Sequence, residues 1–311
     1  MAIKNVAIAG ATGTLGAALV KALLASNQFT ITALIRRDST TQTPLPASVH
    51  LRTVDYSSSS TLISALKGQD AVISALSHAY TGYLADQRAL LDASVAVGVQ
   101  RFIPSEFGSD TLNAKSAPLP IFAHKKTAQT YMKELAGQGK ITYTMVMNGP
   151  FLDFGLNHGF LGLNLKEKKY SYVDGGVAKF STSTLATVGK AVVGVLSKPG
   201  ETKNRAVYIQ DIAFTLKELF VLGKKALGEE GWTEVDGGST AENEKSAYEK
   251  LAKGQKDMSV IVNFLMSAIF REGYGGHFQK LDNELLGIEE LKESDVVALI
   301  KEIAASQAAA A

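Results

Sequence analysis

The seven residues Gly10-Ala-Thr-Gly13-Thr-Leu-Gly16 constrain this chain more than any other stretch. They stand between an apolar run, Asn5–Gly10, and a segment of helical periodicity over about Leu15–Leu24. In that strand–turn–helix setting Gly10 permits a tight turn, Gly13 lets backbone amides approach a phosphate, and Gly16 lets the helix pack closely on the sheet. The helix's positive N-terminal end then faces an anion. The spacing predicts a dinucleotide pyrophosphate held by Gly10, Thr12, Gly13, Thr14, Leu15 and Gly16. Glycines kept only for a compact turn are the alternative. The same glycines break Met1–Ala25 as the apolar centre of a signal peptide.

Apolar runs alternate with helical patterns through the first half. Strands are predicted at Thr30–Ile35, Leu51–Val54, Ala71–Ser74, Arg101–Pro104 and Thr142–Asn148, with helices near Ser60–Leu66, Gly82–Val97 and Pro120–Ala136. With Asn5–Gly10 these make six strands joined by right-handed crossovers, an α/β fold with a Rossmann-like, doubly wound parallel sheet. At 311 residues the chain suits one large domain or two of about 150. We expect a cofactor-binding domain over 1–152 that also receives about 180–210. A smaller, mainly helical substrate region is expected over 153–305, with a frayed tail at 306–311. Lys168–Lys179 reads as a hairpin about Asp174-Gly175-Gly176. Helices are expected at Leu185–Leu196, Thr215–Leu227, Ala241–Ala252, Met258–Arg271 and Ile288–Ile303, and strands near Val207–Ile209 and Trp232–Val235.

Composition removes several function classes. The 32 basic and 30 acidic residues leave a net charge of +2 with no charged block, so a nucleic-acid partner is not expected. Cysteine is absent, which excludes disulfides, thiolate nucleophiles and sulfur-ligated metals. His50, His78, His124, His158 and His277 are scattered without metal-ligand spacing, so no metal is expected. The apolar run Ser259–Phe270 falls short of the ~20 residues a membrane span needs. A cytoplasmic protein without a membrane partner is the expectation.

The end of the second strand selects the cofactor. A dinucleotide with a free ribose 2′-hydroxyl calls for an acidic residue there, whereas this strand ends Ile35-Arg36-Arg37-Asp38. A guanidinium grips a phosphate through parallel charge-assisted bonds, so Arg36 and Arg37 favour NADP(H). Asp38 is the residue that would favour NAD. None of the residues four places beyond the ten tyrosines is a lysine, so the Tyr–Lys dyad common in short-chain dehydrogenases is missing.

Gly10–Gly16, Arg36, the stretch Arg101-Phe-Ile-Pro-Ser-Glu-Phe-Gly108 and Phe122-Ala-His-Lys125 together resemble the NmrA-like, isoflavone-reductase-like group of atypical short-chain dehydrogenases. The likeness is close over about the first 155 residues and looser beyond, where Leu281–Gly287 is similar to fungal members. It implies that Lys125, in the Phe-x-x-Lys motif, is the catalytic acid/base and also borders the cofactor. A free lysine, with a pKa of about 10.4, is a poor base near neutrality and needs burial or neighbouring cations to lower it. The resemblance further implies that Ala75, Leu76 and Ser77 border the dinucleotide, that Ser105, Glu106 and Phe107 lie beside the nicotinamide ribose, and that Asn148, Gly149 and Pro150 flank the ring. Gln87 matches a family glutamine, with helix packing an equal reading.

The expected activity is an NADPH-dependent reduction of a small aromatic or conjugated substrate, with Lys125 moving the proton. Phe151, Leu152, Phe154, Leu156 and Phe160 are candidates to line the substrate, and His277 to cover it. A non-catalytic NADP(H)-sensing regulator acting through a protein partner is the alternative. Relatives occur as monomers and homodimers.

Overall fold

A computed structural model describes residues 2–37, 44–77 and 83–309. Asp38, His78 and Gly82, singled out above, lie outside the described residues, as does the end of the chain beyond residue 309. The first half forms β1 (Asn5–Ala9), α1 (Thr14–Ala25), β2 (Thr30–Arg36), β3 (His50–Val54), α2 (Ser59–Leu66), β4 (Ala71–Ser74), α3 (Tyr83–Ala96), β5 (Arg101–Ile103), α4 (Ala123–Gly137) and β6 (Thr142–Met147). The second half forms α5 (Leu152–Asn157), β7 (Leu163–Asn164), β8 (Lys169–Tyr172), β9 (Phe180–Thr182), α6 (Leu185–Ser197), β10 (Arg205–Tyr208), β11 (Ile212–Phe214), α7 (Leu216–Leu227), β12 (Thr233–Asp236), α8 (Thr240–Ala252), α9 (Met258–Phe270), α10 (Asn283–Leu286) and α11 (Glu293–Ala309).

The central sheet is parallel and runs β10-β6-β5-β4-β1-β2-β3. Its central strands β1, β2 and β4 are nearly continuous buried runs because helices cover both faces, whereas the edge strand β3 is largely exposed. Val6 and Ile8 of β1 pack with α1 and α6, while Ala7 and Ala9 face α2 and α3. Strand order reverses between β1 and β4, and ligands in such sheets sit in the crevice outside the strand ends at that point.

The sheet has seven strands where the sequence predicts six. The seventh, β10, pairs with β6 from Arg205↔Thr144 to Tyr208↔Met147. It returns because α6 is amphipathic, and Val188, Ala191, Val192 and Val195 bury against α1. Gly189 allows that approach, since a Cβ there would stand 2.6 Å from the Cβ of Ala22.

Arg101 fastens this return. Its side chain is buried at the start of β5, and burial lowers its pKa to about 10. Nε donates to Thr142 Oγ1 at 2.9 Å, Nη1 to Thr144 and Thr202 hydroxyls at 2.8 and 3.0 Å, and Nη2 to the Pro199 carbonyl at 2.6 Å. These neutral acceptors tie β5 and β6 to the turn before β10. Hydrogen bonds to a charged group contribute about 1.5–3 kcal/mol each. Arg101→Met is therefore expected to lower unfolding stability by at least about 2 kcal/mol, read as an earlier urea midpoint.

Two expectations about the second half are corrected. Residues 168–179 do not close a hairpin about Asp174. Strand β8 pairs antiparallel with β7 and parallel with β12, and Asp174–Gly176 form a single 3-10 turn. The reason is the Asp174 carboxylate, which accepts from both the backbone N–H and the hydroxyl of Thr240 and so anchors the start of α8. Residues 306–309, part of the expected frayed tail, continue α11. Alanine is the strongest helix former, and α11 runs to Ala309 with Gln307 Nε2 donating to the Asn157 carbonyl at 2.8 Å. The short helices α5 and α10 carry too few residues for periodicity to reveal.

A third core, built by Leu152, Leu156, Phe180, Phe214, Leu219 and Phe270, joins α5, α7, α9 and α11. Among the described residues no helix is long and apolar enough to cross a membrane.

Candidate active site

The glycine turn is closed by the Gly13 N–H donating to the Gly10 carbonyl at 3.0 Å. Gly10 has φ +79°, and a Cβ there would lie 2.6 Å from the carbonyl oxygen of Ala75. A Cβ on Gly16 would stand 2.0 Å from the Gly10 carbonyl oxygen. Both positions therefore demand glycine, one for conformation and one for space. Helix α1 starts after Gly13 with no acidic residue in its first turn. Its free amides and dipole are thus available to a phosphate. Thr12 and Leu15 are half-buried at the turn, and Gly13 and Thr14 are exposed.

Arg36 ends β2 with its side chain exposed, and Arg37 follows, its N–H bonded to the Val54 carbonyl at 3.1 Å. Ala75, Leu76 and Ser77 leave β4 beside this turn, where Ala75 N–H donates to the Ala9 carbonyl at 2.8 Å. Gln87 is buried and accepts from the Ser74 hydroxyl at 2.5 Å, which places it under the end of β4 in a packing role.

Lys125 is 4% exposed. Its helix is aimed by the preceding 3-10 turn Pro120–Phe122, where Leu119 and Phe122 bury with Val260 and Phe264 of α9. Nζ donates to the main-chain carbonyl of Glu106, three residues beyond the end of β5. Burial lowers the pKa of the Lys125 ammonium from 10.5, and the Glu106 carboxylate opposes part of that fall. Ser105 donates to the Leu76 carbonyl at 2.8 Å, so the strand ends of β4 and β5 are bonded together beside the lysine. Phe107 belongs to the sheet core.

Asn148 is fully buried at the end of β6, with Nδ2 donating to the Gly149 carbonyl at 2.7 Å and Oδ1 without a hydrogen-bond partner. Gly149 has φ +66°, and a Cβ there would lie 2.0 Å from the Ser181 carbonyl oxygen. Ser181 in turn accepts from Phe278 N–H at 2.9 Å and donates its own N–H to the Gly276 carbonyl at 2.8 Å. The second half is thereby laced onto the end of β6. Pro150 accepts from the Thr182 hydroxyl at 2.7 Å.

The strand ends thus bring together the glycine turn, Arg36, the 75–77 and 105–107 segments, Lys125 and Asn148–Pro150. A turn that admits only glycine, a helix start without acid and an orphaned amide oxygen fit a phosphorylated dinucleotide. His277 lines a cleft of about 810 Å³ with Asn113, Asp174, Lys179 and Arg271. Phe151 packs partly buried against the sheet core, whereas Leu152 and Leu156 turn wholly into the third core. Phe154 is exposed and stacks on His158 at 4.0 Å, away from the cleft walls. His124 is exposed on α4. Among the described residues no group of three or more histidines and carboxylates is placed to hold a metal.

Sequence reasoning missed Thr111, Gln129 and Tyr83, all buried around Glu106. Gln129 lies four residues after Lys125 and so shares its helix face, a signal that was available. Thr111 stands in a loop without pattern.

The sequence model of the NmrA-like family matches residues 2–234. The oxidoreductase aprR of Aspergillus flavus is 33% identical over 306 residues, covering 96% of this chain and 99% of that protein. A structure of pinoresinol-lariciresinol and phenylcoumaran benzylic ether reductases superposes with a TM-score of 0.76 at 19% identity, covering 96% of this chain and 99% of its own. The binary complex of leucoanthocyanidin reductase with NADPH from Vitis vinifera gives 0.73 at 20% identity, covering 97% and 99%.

Proposed function

The chain belongs to the NmrA-like family, and from that premise we propose that it is an NADPH-dependent reductase of a small aromatic or conjugated substrate with Lys125 as its proton donor. The observation that carries this reading is a lysine 4% exposed, its pKa lowered by burial, at the strand ends where the glycine turn opens. A regulator that only senses its nucleotide has no need to bury an ammonium, which favours the enzyme. The name of the Aspergillus relative and the NADPH complex of the Vitis neighbour agree with it.

Gly10, Gly13 and Gly16 would cradle the pyrophosphate on α1, and Arg36 would take the 2′-phosphate. Asn148 Oδ1, a buried acceptor lacking a donor, would orient the nicotinamide end. When bound, NADPH supplies the hydride. Lys125 gives its Nζ proton to the oxygen or carbon where negative charge develops on the acceptor. The cleft at His277 and Lys179 is the space we assign to that acceptor.

Two measurements test this. Purified protein should consume NADPH in the presence of at least one member of a panel of quinones, enones and phenolic ethers; a chain that binds NADPH yet reduces none, and retains a protein partner instead, contradicts it. Arg36→Ala should cost about ten- to a hundredfold in NADPH affinity, the worth of one charge-assisted bond, and leave NADH affinity nearly unchanged. Equal loss for both nucleotides would remove Arg36 from the phosphate.

A further inference from the structure

Lys125 and Gln129 stand one turn apart on the buried face of α4, and both reach the loop of residues 106–111. Lys125 Nζ donates to the Glu106 carbonyl. Gln129 Nε2 donates to Thr111 Oγ1 at 2.8 Å, and that hydroxyl donates to Glu106 Oε2 at 2.7 Å. The direction of this chain is fixed by chemistry. An amide NH₂ can only donate, so the Thr111 oxygen must accept, and its own proton must point at Oε2. Glu106 Oε2 is thereby held as an acceptor. Glu106, Thr111 and Gln129 are 1%, 3% and 4% exposed, so the arrangement is shut off from bulk solvent.

We propose that Glu106, fixed by Thr111 and Gln129, is a positioning residue whose charge keeps Lys125 protonated until the acceptor needs the proton. This rests on the reading of Lys125 as the acid. Nζ bonds the main-chain carbonyl of Glu106 and not its carboxylate, so the two buried charges act on one another through space, each offsetting part of the other's desolvation cost. Without Glu106, burial would strip the proton from Lys125 at a lower pH, and the donor would enter the reaction empty.

The other titratable groups around the pair do not replace it. Tyr83, at the start of α3, has its phenol pushed upward by burial and by Glu106, so it stays neutral. Asp110, farther along the loop, is bonded to the Tyr208 hydroxyl at 3.1 Å. His124 and Lys126 flank Lys125 on α4 and are exposed.

The test is a pH titration of the full chain labelled at lysine Cε, followed by NMR, with Lys125→Met assigning the resonance. Glu106→Gln should lower the Lys125 midpoint by about one pH unit or more, the effect of removing a nearby opposite charge. Glu106→Asp should keep the wild-type midpoint. The alkaline limb of the turnover profile should move down with the NMR midpoint, a tenfold loss of rate above it. An unchanged midpoint in Glu106→Gln overturns the proposal. Should that variant not fold, Thr111→Val, which releases the Glu106 carboxylate from its bond, must shift the Lys125 midpoint instead; an unchanged midpoint overturns it equally. The titration reads coupling whether or not Lys125 is the acid, whereas unaltered turnover in Lys125→Met would remove the acid role alone.

Discussion

Gly16→Val is expected to abolish dinucleotide binding and to destabilise the chain by at least about 3 kcal/mol, because the first Cβ alone would lie 2.0 Å from the Gly10 carbonyl oxygen and 2.7 Å from Ala11 Cα. Both obstacles are backbone, so no rotamer change relieves them. Relief requires α1 to move away from the turn, and α1 is the helix against which α6 packs the returning half of the chain. Two readouts separate the consequences. Urea unfolding reports the lost packing, and quenching of intrinsic fluorescence by NADPH reports the lost cradle. A variant that folds with wild-type stability and binds NADPH as tightly would show that the turn does not hold the phosphates. Gly13, whose added Cβ would meet the Gly10 carbonyl oxygen at a tolerable 3.4 Å, should show the milder loss of the two.

Lys125→Met is expected to lower turnover 10²- to 10⁴-fold, the usual worth of a positioned general acid, while NADPH affinity changes by no more than a few fold. Methionine keeps the length and apolar stem of the side chain and removes only the ammonium. The pH dependence carries a definite sign. Lys125 must be protonated to act, so the wild-type rate should fall as pH rises through its pKa, which burial places below 10.5. That alkaline limb should be absent in the variant's residual activity. Stopped-flow absorbance of NADPH against pH measures both effects. Retention of the limb in Lys125→Met would assign it to another group. Tyr83 does not supply one near neutrality, because burial raises its phenol further.

The glycine turn and the parallel sheet were legible because each is encoded locally, and Lys125 was singled out only through the resemblance its Phe-x-x-Lys stretch carries. Glycine spacing, runs of buried apolar residues and a Phe-x-x-Lys stretch need no partner distant in the chain to be read. Strand β10 was half legible: Val207–Ile209 looks like a strand, but its place beside β6 depends on Arg101 reaching Thr202 and Pro199 across about a hundred residues. Asp174-Gly175-Gly176 misled because a turn sequence specifies a turn and not what the flanking strands pair with; Thr240, far along the chain, decided that. The polar ring around Glu106 was hidden for the same reason. Thr111 is an ordinary loop residue until folding brings Gln129 and Glu106 to either side of it. The candidate substrate residues take different faces in the fold. An aromatic in a sequence does not declare its face, and α5 turns Phe154 outward onto His158 while burying Leu152 and Leu156.

Calorimetric titration of the wild-type chain with NADPH and NADH in the same buffer decides whether the site selects the 2′-phosphate. NADPH should bind at least about tenfold more tightly, through Arg36 and the amides of α1. Equal affinity, or tighter binding of NADH, would contradict it.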